Sequence, residues 1–332
     1  MSRRYIRQFA DGDSLDDVFL LGDKQLRTNR QGNPYLQVEI RDRSGQMTAR
    51  LWNAGENLAR QFDTGDFIHA RGKVQLYQGG LQVILSQISP VEGQKFDMAD
   101  FLPHTEQDLA KLQERLKALL GKIAQPHLKA LAEVFLMDAD LMTRLSAAPA
   151  GVRNHHAYVG GLLEHVVKLL EIGDHVFPLY PGLDKDLAQM GIFLHDLGKI
   201  RELAFDKTFA YSDEGQLIGH LVIGVELLNE KLAEVERLMG EPLPRELILR
   251  LKHMIVAHHG SYEFGSPKLP MTPEAIALAA LDNFDAKVHS FLRDIREDKN
   301  STSAWTPFNQ ALQRKLYKGG DATTDGSNEE DA

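Results

Sequence analysis

The apolar residues of this 332-residue chain change their spacing near residue 93. Before that point they alternate with polar residues, as in PYLQVEIRD, which is the two-residue period of a half-buried strand. After it, segments such as DLAKLQERLKALLGKI repeat leucines at intervals of three and four residues, which is typical of amphipathic helices. The change of period, together with the chain length, predicts a multidomain α and β protein.

Residues 16–90 contain five strand-like segments, with a short helical segment, GENLARQF, between the third and the fourth. This order matches a small OB-type β-barrel. The stretch YLQVEIRDRSGQMTARLW, with Gly72 and Gly79-Gly80 around the fourth strand, resembles the nucleic-acid-binding OB family. The resemblance implies a domain that binds single strands through a basic groove and aromatic stacking platforms.

The charge of the chain is unevenly distributed along its length. Residues 1–90 contain 12 basic and 10 acidic residues, whereas the remaining 242 residues contain 26 basic and 37 acidic residues, within a net charge of −9. We therefore expect nucleic-acid binding to be concentrated in the N-terminal region. The candidate contacts, aromatic residues for stacking and basic residues for phosphates, are Tyr35, Trp52, Tyr77, Arg41, Arg43, Arg50, Arg71 and Lys73. Residue by residue an alternative stays open, in which Trp52 packs in the core and the arginines form a solvated face.

Composition excludes several classes of protein. The chain has no cysteine, so disulfides, zinc fingers and iron–sulfur clusters are excluded. No apolar run approaches the length needed to cross a bilayer, and no hydrophobic stretch follows the early arginines of MSRRYIRQF. We expect no membrane partner and a cytoplasmic location. Assembly into a homo-oligomer is left open.

Changes in pattern along the chain suggest four regions. We place the OB-type barrel at residues 1–93, a helical connector that packs on the second domain at 94–150, and an all-α bundle at 151–300. A C-terminal extension follows at 301–332. Its end, DATTDGSNEEDA, holds five acidic residues and no basic one, so we predict disorder from about residue 319 onward.

Nine of the thirteen histidines lie between residues 155 and 259, most of them in apolar helical sequence. Read in chain order, the potential metal ligands of this half are His165, His195, Asp196, His220, His258, His259 and Asp282. A buried imidazole or carboxylate is costly unless it is paired, hydrogen-bonded or bound to a cation. Neutral imidazole nitrogens and carboxylate oxygens are also the donors that divalent Mn, Fe, Co, Ni and Zn accept. A bound pair of metal ions explains this pattern better than a set of unrelated structural histidines.

The order of these residues resembles that of the HD-domain metal-dependent phosphohydrolases, which carry a helix histidine, an adjacent His-Asp pair and a distant helix aspartate. The added histidines of LIGHL and IVAHHG resemble the subset of that superfamily that holds two metals. With the N-terminal barrel, the segments HHAYVGGLLEHVVKL, HDLGKIREL, YSDEGQLIGHL and MIVAHHG resemble the YhaM-type 3′→5′ exoribonucleases. This likeness covers most of the chain.

The resemblance implies two sets of metal ligands. One ion would be held by His165, His195 and Asp282, and the other by His220, His258 and His259. Asp196 would bridge them, because a carboxylate has two oxygens. Ions about 3.5–4 Å apart can share a hydroxide and hold the phosphoryl oxygens of an in-line displacement. Mn²⁺ is the expected cofactor, although the ligand set also permits Fe, Co, Ni or Zn.

The expected catalytic residues are Asp196 and Lys199. Lys199 follows the His-Asp pair by three residues, and the resemblance implies that its ammonium stabilises the transition state at a phosphate oxygen. Arg153, His155 and His156 precede the first ligand helix and are candidates for contacts to the substrate phosphate. Either of these histidines could instead cap a helix or pack in the interior.

Two further polar residues lie on the helical face of Asp282. Asp285 and His289 follow it by three and seven residues. They are candidates for partners that orient the metal ligands. A buried polar network unrelated to catalysis explains them equally well.

Three functions remain in competition. In the first, a metal-dependent 3′→5′ exoribonuclease, the barrel holds single-stranded RNA, or also single-stranded DNA, and feeds its 3′ end to the HD site, which releases 5′-mononucleotides. The second is an HD-domain nucleotide or cyclic-dinucleotide phosphodiesterase, although the GYP motif typical of cyclic-dinucleotide cleavage does not occur. The third is a nucleic-acid-binding protein whose HD domain is only a scaffold. The presence of all seven ligand residues argues against the third.

Overall fold

A closed β-barrel precedes a bundle of helices in this chain. The computed structural model describes residues 3–77, 80–91, 96–152, 156–205, 209–298, 300, 303–310 and 312–319. The predicted disorder from about residue 319 onward falls almost wholly outside these residues and stays a prediction. Gly79 also lies outside them.

The barrel is built from five strands. They are β1 (Ser14–Thr28), β2 (Pro34–Asp42), β3 (Gly45–Trp52), β4 (Phe67–Tyr77) and β5 (Gly80–Pro90), with α1 (Glu56–Ala59) between β3 and β4. The strands close in the order β1-β2-β3-β5-β4, and β3 pairs with β5 in parallel. On β2, Leu36, Val38 and Ile40 point into the barrel, while the residues between them are half exposed. The predicted OB-type barrel is confirmed.

The rest of the described chain is mainly helical. Its helices are α2 (Leu109–Leu120), α3 (Pro126–Met137), α4 (Ala139–Ala147), α5 (Gly161–Val176), α6 (Lys185–Leu194), α7 (Lys199–Glu202), α8 (Asp213–Leu217), α9 (His220–Met239), α10 (Arg245–Ala257) and α11 (Pro273–Glu297), with a short hairpin of β6 (Leu203–Ala204) and β7 (Ala210–Tyr211). None of the helices in the described ranges is long and apolar enough to cross a membrane.

One hydrophobic core runs through this helical part. Leu116 of α2 and Leu131 of α3 belong to the same buried cluster as Leu163 of α5, Phe193 of α6 and Leu278 of α11. The leucine stripe of the connector therefore has a packing role, as its spacing indicated. The residue numbers given above for the domain boundaries stay a prediction.

The buried carboxylate of Glu274 fixes three of these helices relative to one another. Asp184 caps α6 by accepting a hydrogen bond from the Leu187 backbone N–H at 3.1 Å. The backbone N–H of Asp184 donates in turn to Glu274 of α11, at 2.9 Å, and Glu274 pairs with Arg250 of α10 at 2.6 Å. Because a buried charge is stable only when it is paired, this contact fixes how the starts of α6 and α11 meet α10.

An aromatic cluster packs the barrel against the helical part. Leu20 of β1 and Phe101 of the connector are buried together, and the partly buried Phe67 of β4 and Val159 pack against them. The rings of Phe67 and Phe101 lie 4.8 Å apart in an edge-to-face arrangement, which is a favourable geometry for aromatic pairs. The two parts are therefore joined by an apolar contact as well as by the chain.

Candidate metal centre and nucleic-acid face

The seven predicted metal ligands converge from five helices. His165 lies in α5, His195 and Asp196 directly follow α6, His220 is the first residue of α9, His258 and His259 directly follow α10, and Asp282 lies in α11. Most of them stand at helix ends, where the chain changes direction and side chains of different helices can meet. The ligands form two groups that share one aspartate.

The first group consists of His165, His195 and Asp282. One potential ligand atom from each lies within 4.8 Å of the other two. Nε2 of His165 is 3.4 Å from Nε2 of His195 and 3.2 Å from Oδ1 of Asp282. Both imidazoles are buried, so their nitrogens face one another and the carboxylate in a site with little access to water.

The second group consists of His220, His258 and His259, whose ligand nitrogens also lie within 4.8 Å of one another. Nε2 of His220 is 3.2 Å from Nε2 of His259. His258 is fully buried, whereas His220 and His259 are partly exposed. The second group therefore borders solvent at one side.

Asp196 stands between the two groups, and each of its oxygens faces a different one. Oδ1 lies 3.4 Å from Nε2 of His258 and 3.6 Å from Nε2 of His220. Oδ2 lies 3.5 Å from Nε2 of His195 and 3.9 Å from Nε2 of His165. The residue is buried, yet Oδ1 has no hydrogen-bond partner among the described residues. A buried carboxylate oxygen without a hydrogen bond, facing imidazole nitrogens, fits a site for a divalent cation.

All five imidazoles present Nε2 to the centre, because each Nδ1 is held by an oxygen acceptor behind it. Three of these acceptors are backbone carbonyls, those of Ile192 for His195 at 2.6 Å, Ile255 for His258 at 2.8 Å and Phe264 for His259 at 2.8 Å. A carbonyl only accepts, so in these three residues Nδ1 carries a proton, and in the neutral imidazole the lone pair is then on Nε2. This is the tautomer that a metal ligand needs.

Carboxylates hold the other two imidazoles. Nδ1 of His165 lies 2.9 Å from Oδ2 of Asp285, and Nδ1 of His220 lies 2.8 Å from Oε1 of Glu202. Such partners orient a ligating imidazole and raise its basicity. Asp285 thus lies where a residue that orients a metal ligand should lie, which is one of the two interpretations given above for this residue. Glu202 was missed from the sequence, where its only signal is an acidic residue soon after the His-Asp pair, in HDLGKIREL.

We expect Asp285→Asn to lower the affinity for Mn²⁺ by about 10- to 100-fold. A neutral amide does not raise the basicity of the His165 imidazole as a carboxylate does, so His165 becomes a weaker metal ligand. A calorimetric titration of metal-free protein with Mn²⁺ measures this change. The exposed acid Glu297, near the end of the same helix, supplies the matched control Glu297→Gln. Equal Mn²⁺ affinities of Asp285→Asn and the control would contradict the orienting role.

Burial and charge act in opposite directions on the histidines. Burial lowers the pKa of His258 to about 4, so this imidazole is neutral at pH 7. Burial also acts to lower the pKa of His165, but the carboxylates of Asp282 and Asp285 outweigh it and raise that pKa to about 9. His165 is therefore protonated at pH 7 when no cation is bound, and a cation at Nε2 would take the place of that proton.

Lys199 lies directly beside the shared aspartate. Its Nζ is 2.7 Å from Oδ2 of Asp196. Burial acts to lower the pKa of Lys199, but the charge of Asp196 outweighs it, so the pKa is raised and the ammonium stays charged. In the other direction, burial acts to raise the pKa of Asp196, while Lys199 and His195 hold it well below its usual value. The predicted cationic side chain is thus present in the centre.

Gly198 allows the His-Asp turn to approach α9. A Cβ at this position would stand 2.1 Å from the carbonyl oxygen of His220 and 2.8 Å from the backbone nitrogen of Gly224. Its backbone is helical, with φ −57° and ψ −21°, so close approach and not backbone freedom explains the glycine. Only glycine brings Asp196 and His220 this near to each other.

The structure describes one of the three candidates for contacts to the substrate phosphate. Arg153 and His155 lie outside the described residues. His156 is fully buried, with Nδ1 2.7 Å from the Tyr158 hydroxyl and Nε2 3.1 Å from Oδ2 of Asp285. It therefore lies behind His165, in the layer that holds the ligands, and not on a surface that a phosphate can reach.

Four of the eight candidate nucleic-acid contacts form one exposed face of the barrel. Tyr35 and Trp52 are register partners on β2 and β3, and their rings lie 4.9 Å apart. The Arg50 guanidinium lies 5.6 Å from the ring centre of Tyr77 on β4. Lys73 lies beside this face, since both it and Arg50 pair with Ile84 of β5. An exposed face of aromatic rings with a cation between them is suited to stacking of single-stranded bases.

The other three arginines are engaged within the protein. Arg41 forms an ion pair with Glu39, and Arg71 with Asp16. The Arg43 guanidinium lies 4.1 Å from the ring centre of Tyr5. Their exposure matches the solvated-face alternative more closely than it matches a shared groove.

Comparisons with known proteins identify the family of the chain. Residues 23–91 match the OB-fold nucleic acid binding domain, and residues 162–287 match the HD domain. A relative, the 3′-5′ exoribonuclease YhaM of Bacillus subtilis (strain 168), is 32% identical over 291 residues, which cover 87% of this chain and 90% of the relative. The chain belongs to the YhaM family of exoribonucleases. As a YhaM-family member with an HD domain, it is a phosphodiester hydrolase that depends on divalent metal ions.

Similarities to solved structures are more remote. The HINb domain of p204 is 14% identical, with a TM-score of 0.23, over 27% of this chain and 47% of that chain. The second OB-fold domain of replication protein A from Methanococcus maripaludis is 19% identical, with a TM-score of 0.21, over 28% of this chain and 98% of that chain. At TM-scores this low, neither structure supports a conclusion about this YhaM-family protein.

Proposed function

We propose that this protein is a two-metal 3′→5′ exoribonuclease that hydrolyses single-stranded RNA to 5′-mononucleotides. The observation that carries the proposal is the position of Asp196, whose two oxygens face two separate groups of imidazoles. A single-metal site needs only one of these groups. The polarity of attack is inferred from the name of the Bacillus subtilis relative.

Two divalent ions would be held by seven residues. His165, His195 and Asp282 would hold one, His220, His258 and His259 the other, and Asp196 would contact both. When bound, such ions lower the pKa of a coordinated water and offset charge on the phosphoryl oxygens. We propose Mn²⁺, although the nitrogen and oxygen donors also accept Fe, Co, Ni or Zn.

The protein's own side chains would position and stabilise the scissile phosphate. The Lys199 ammonium, 2.7 Å from Asp196, would attract a phosphate oxygen and stabilise the charge that develops on it. Arg153 and His155 precede the first ligand helix and are proposed to contact the same phosphate. The buried imidazoles of His165 and His195 leave little room for bulk water beside them, so charges act there in a low-dielectric surrounding.

The barrel would hold the body of the strand while its end is degraded. Tyr35 and Trp52 offer stacking surfaces, and Arg50, Tyr77 and Lys73 extend them toward β4. Such a face favours a polymer over a small cyclic or mononucleotide substrate. Binding of DNA, assembly into homo-oligomers and a cytoplasmic location stay predictions.

The test uses one RNA oligonucleotide labelled at either end, incubated with purified protein and Mn²⁺, Fe²⁺, Co²⁺, Ni²⁺ or Zn²⁺. We expect the 3′ label to appear at once in mononucleotides and the 5′ label to remain on a ladder of shortening products. Retention of the 3′ label on long products, or no cleavage with any metal, would overturn the proposal. The same oligonucleotide as DNA measures the sugar preference.

A paired substitution tests the barrel. Trp52→Ala should weaken binding of single-stranded RNA, since stacking of one base contributes about 1–3 kcal/mol. Trp305→Ala is a matched control, because Trp305 is exposed to a similar extent, 51% against 44% for Trp52. Equal dissociation constants of the two variants in a fluorescence anisotropy titration would remove Trp52 from the binding face.

A further inference from the structure

Three ligands of the metal centre are partly exposed. His165, His195, Asp196 and His258 are buried, whereas His220 and His259 of the second group and Asp282 of the first group are partly exposed. A substrate phosphate that approaches the second group passes the segments that carry its two partly exposed histidines. Those segments are the loop before α9 and the turn after α10.

Both segments expose large apolar side chains. Leu217 and Ile218 come just before Gly219 and His220, and 85% of Leu217 is exposed. On the other side, Tyr262 is 63% exposed and Phe264 is 70% exposed. Exposed apolar side chains are ordinary when single, but here two pairs flank the two partly exposed histidines of a metal centre.

The turn that carries the aromatic pair is fixed to the centre. The carbonyl of Phe264 accepts the hydrogen bond from Nδ1 of His259, at 2.8 Å. Gly260 and Gly265 begin and end the turn with φ of +78° and +82°, and the Gly265 N–H donates to the Tyr262 carbonyl at 3.0 Å. The backbone of this turn cannot move far without shifting His259, so the turn that carries the two rings stays fixed to the second group.

We infer that Leu217, Ile218, Tyr262 and Phe264 form an apolar rim that stacks on the bases at the end of the single-stranded substrate. This inference rests on the proposed exoribonuclease function. The base next to the scissile phosphate lies one sugar away from the metals, and the exposed apolar side chains of the described residues that flank the two partly exposed histidines include these four. Every base has an apolar π-face, so the rim binds the end of a strand regardless of its sequence.

The chemistry of the rim suits an exonuclease better than a base-specific enzyme. Aliphatic and phenyl side chains offer no hydrogen bonds to base edges, and the Tyr262 hydroxyl is the one polar group among the four. A site that must accept each base in turn needs contacts that all bases can make. The rim therefore supplies binding without sequence preference, next to the site of cleavage.

The test is a double-mutant cycle between the rim and the substrate. Phe264→Ala and Tyr262→Ala are assayed in the full-length protein with Mn²⁺, on RNA oligonucleotides with ordinary or abasic 3′-terminal nucleotides. We expect each variant to raise KM for ordinary RNA about tenfold, to a similar extent for oligoadenylate and oligouridylate. On abasic ends the variants and the wild type should have the same KM. Phe264→Trp, which keeps an aromatic ring at this position, should have the wild-type KM on ordinary ends.

Tyr180→Ala is the matched control. Tyr180 is exposed as well, but lies fifteen residues beyond His165 along α5 and the turn after it, about 20 Å away by the rise of a helix. Mn²⁺ content is measured for each variant, since Phe264 also contacts His259 through its backbone. Tyr262→Ala keeps the test valid if Phe264→Ala loses metal.

Each outcome decides a different question. The inference about the rim is overturned if all three variants have equal KM values on ordinary RNA, namely Tyr262→Ala, metal-replete Phe264→Ala and Tyr180→Ala. The exoribonuclease proposal would remain intact. The same KM increase on abasic as on ordinary ends would also overturn it, because the contact would then not involve the base. If the variants change only the size of the particle in light scattering, the rim is a protein interface and the inference is wrong. No RNA hydrolysis by the wild type would reject the proposed function itself.

Discussion

Asp196→Asn is expected to lower RNA hydrolysis by about 10³-fold or more, the largest effect of any single substitution in this protein. Asp196 offers one oxygen to each group of imidazoles, 3.4 Å from His258 and 3.5 Å from His195. An asparagine keeps the shape but replaces one anionic oxygen by an NH₂ group, which cannot ligate a cation. One ion would lose a ligand and the other would keep only a neutral amide oxygen, so their combined stabilisation of the transition state falls.

This result is measured by single-turnover hydrolysis of labelled RNA, with metal content determined on the same samples. Asp140→Asn, on the exposed face of α4, is the matched control and should leave the rate unchanged. Binding of single-stranded RNA should also survive in Asp196→Asn, since the barrel face does not involve this residue. Activity within tenfold of the wild type would contradict the bridging role, and loss of RNA binding together with activity would contradict the separation of the two functions.

Removal of metal is expected to have the second largest effect. Dialysis against a chelator should reduce hydrolysis to below about 1% and lower the melting temperature by about 5–10 °C, since a ligand at a hundredfold excess over its Kd stabilises by about 2.7 kcal/mol. The centre would then hold the carboxylates of Asp196 and Asp282 close together without a divalent cation between them. His165, whose pKa is raised to about 9, and Lys199 supply the remaining positive charge.

Hydrolysis assays and differential scanning calorimetry before and after dialysis measure both changes, and addition of Mn²⁺ should reverse them. Asp196→Asn serves as the comparison, because its melting temperature should change little on chelation. A melting temperature of the wild type that is the same with and without metal would mean that the seven residues do not hold ions in the folded protein.

The convergence of the candidate metal ligands could be predicted from the sequence because imidazoles and carboxylates are unusual in apolar helical surroundings. Imidazoles and carboxylates within apolar helices need partners, and His195-Asp196 and His258-His259 mark two helix ends where such partners meet. The sequence pattern alone does not say which residue completes each group; only the family likeness implies that grouping. The distances place Asp282 with His165, in the arrangement that the likeness implied.

The supporting contacts and the barrel face could not be predicted in the same way. Glu202 contacts His220 because α7 packs against α9, and the local sequence does not predict that contact. On a barrel every second residue points outward, so alternation alone does not say which outward residues share a face. Arg50 and Arg71 each follow an alanine in a strand, yet the guanidinium of Arg50 lies against Tyr77, whereas Arg71 pairs with Asp16 on the neighbouring strand β1.

The wide separation of the ligands along the chain has a consequence for synthesis of the protein. Residues 165 and 282 belong to the same group, so more than a hundred residues must be made after the first histidine before the cage can close. A nascent chain still lacking α11 has no complete first group, and is expected to be inactive. A nuclease assembled in this order is not expected to degrade the messenger from which it is being translated before α11 has left the ribosome.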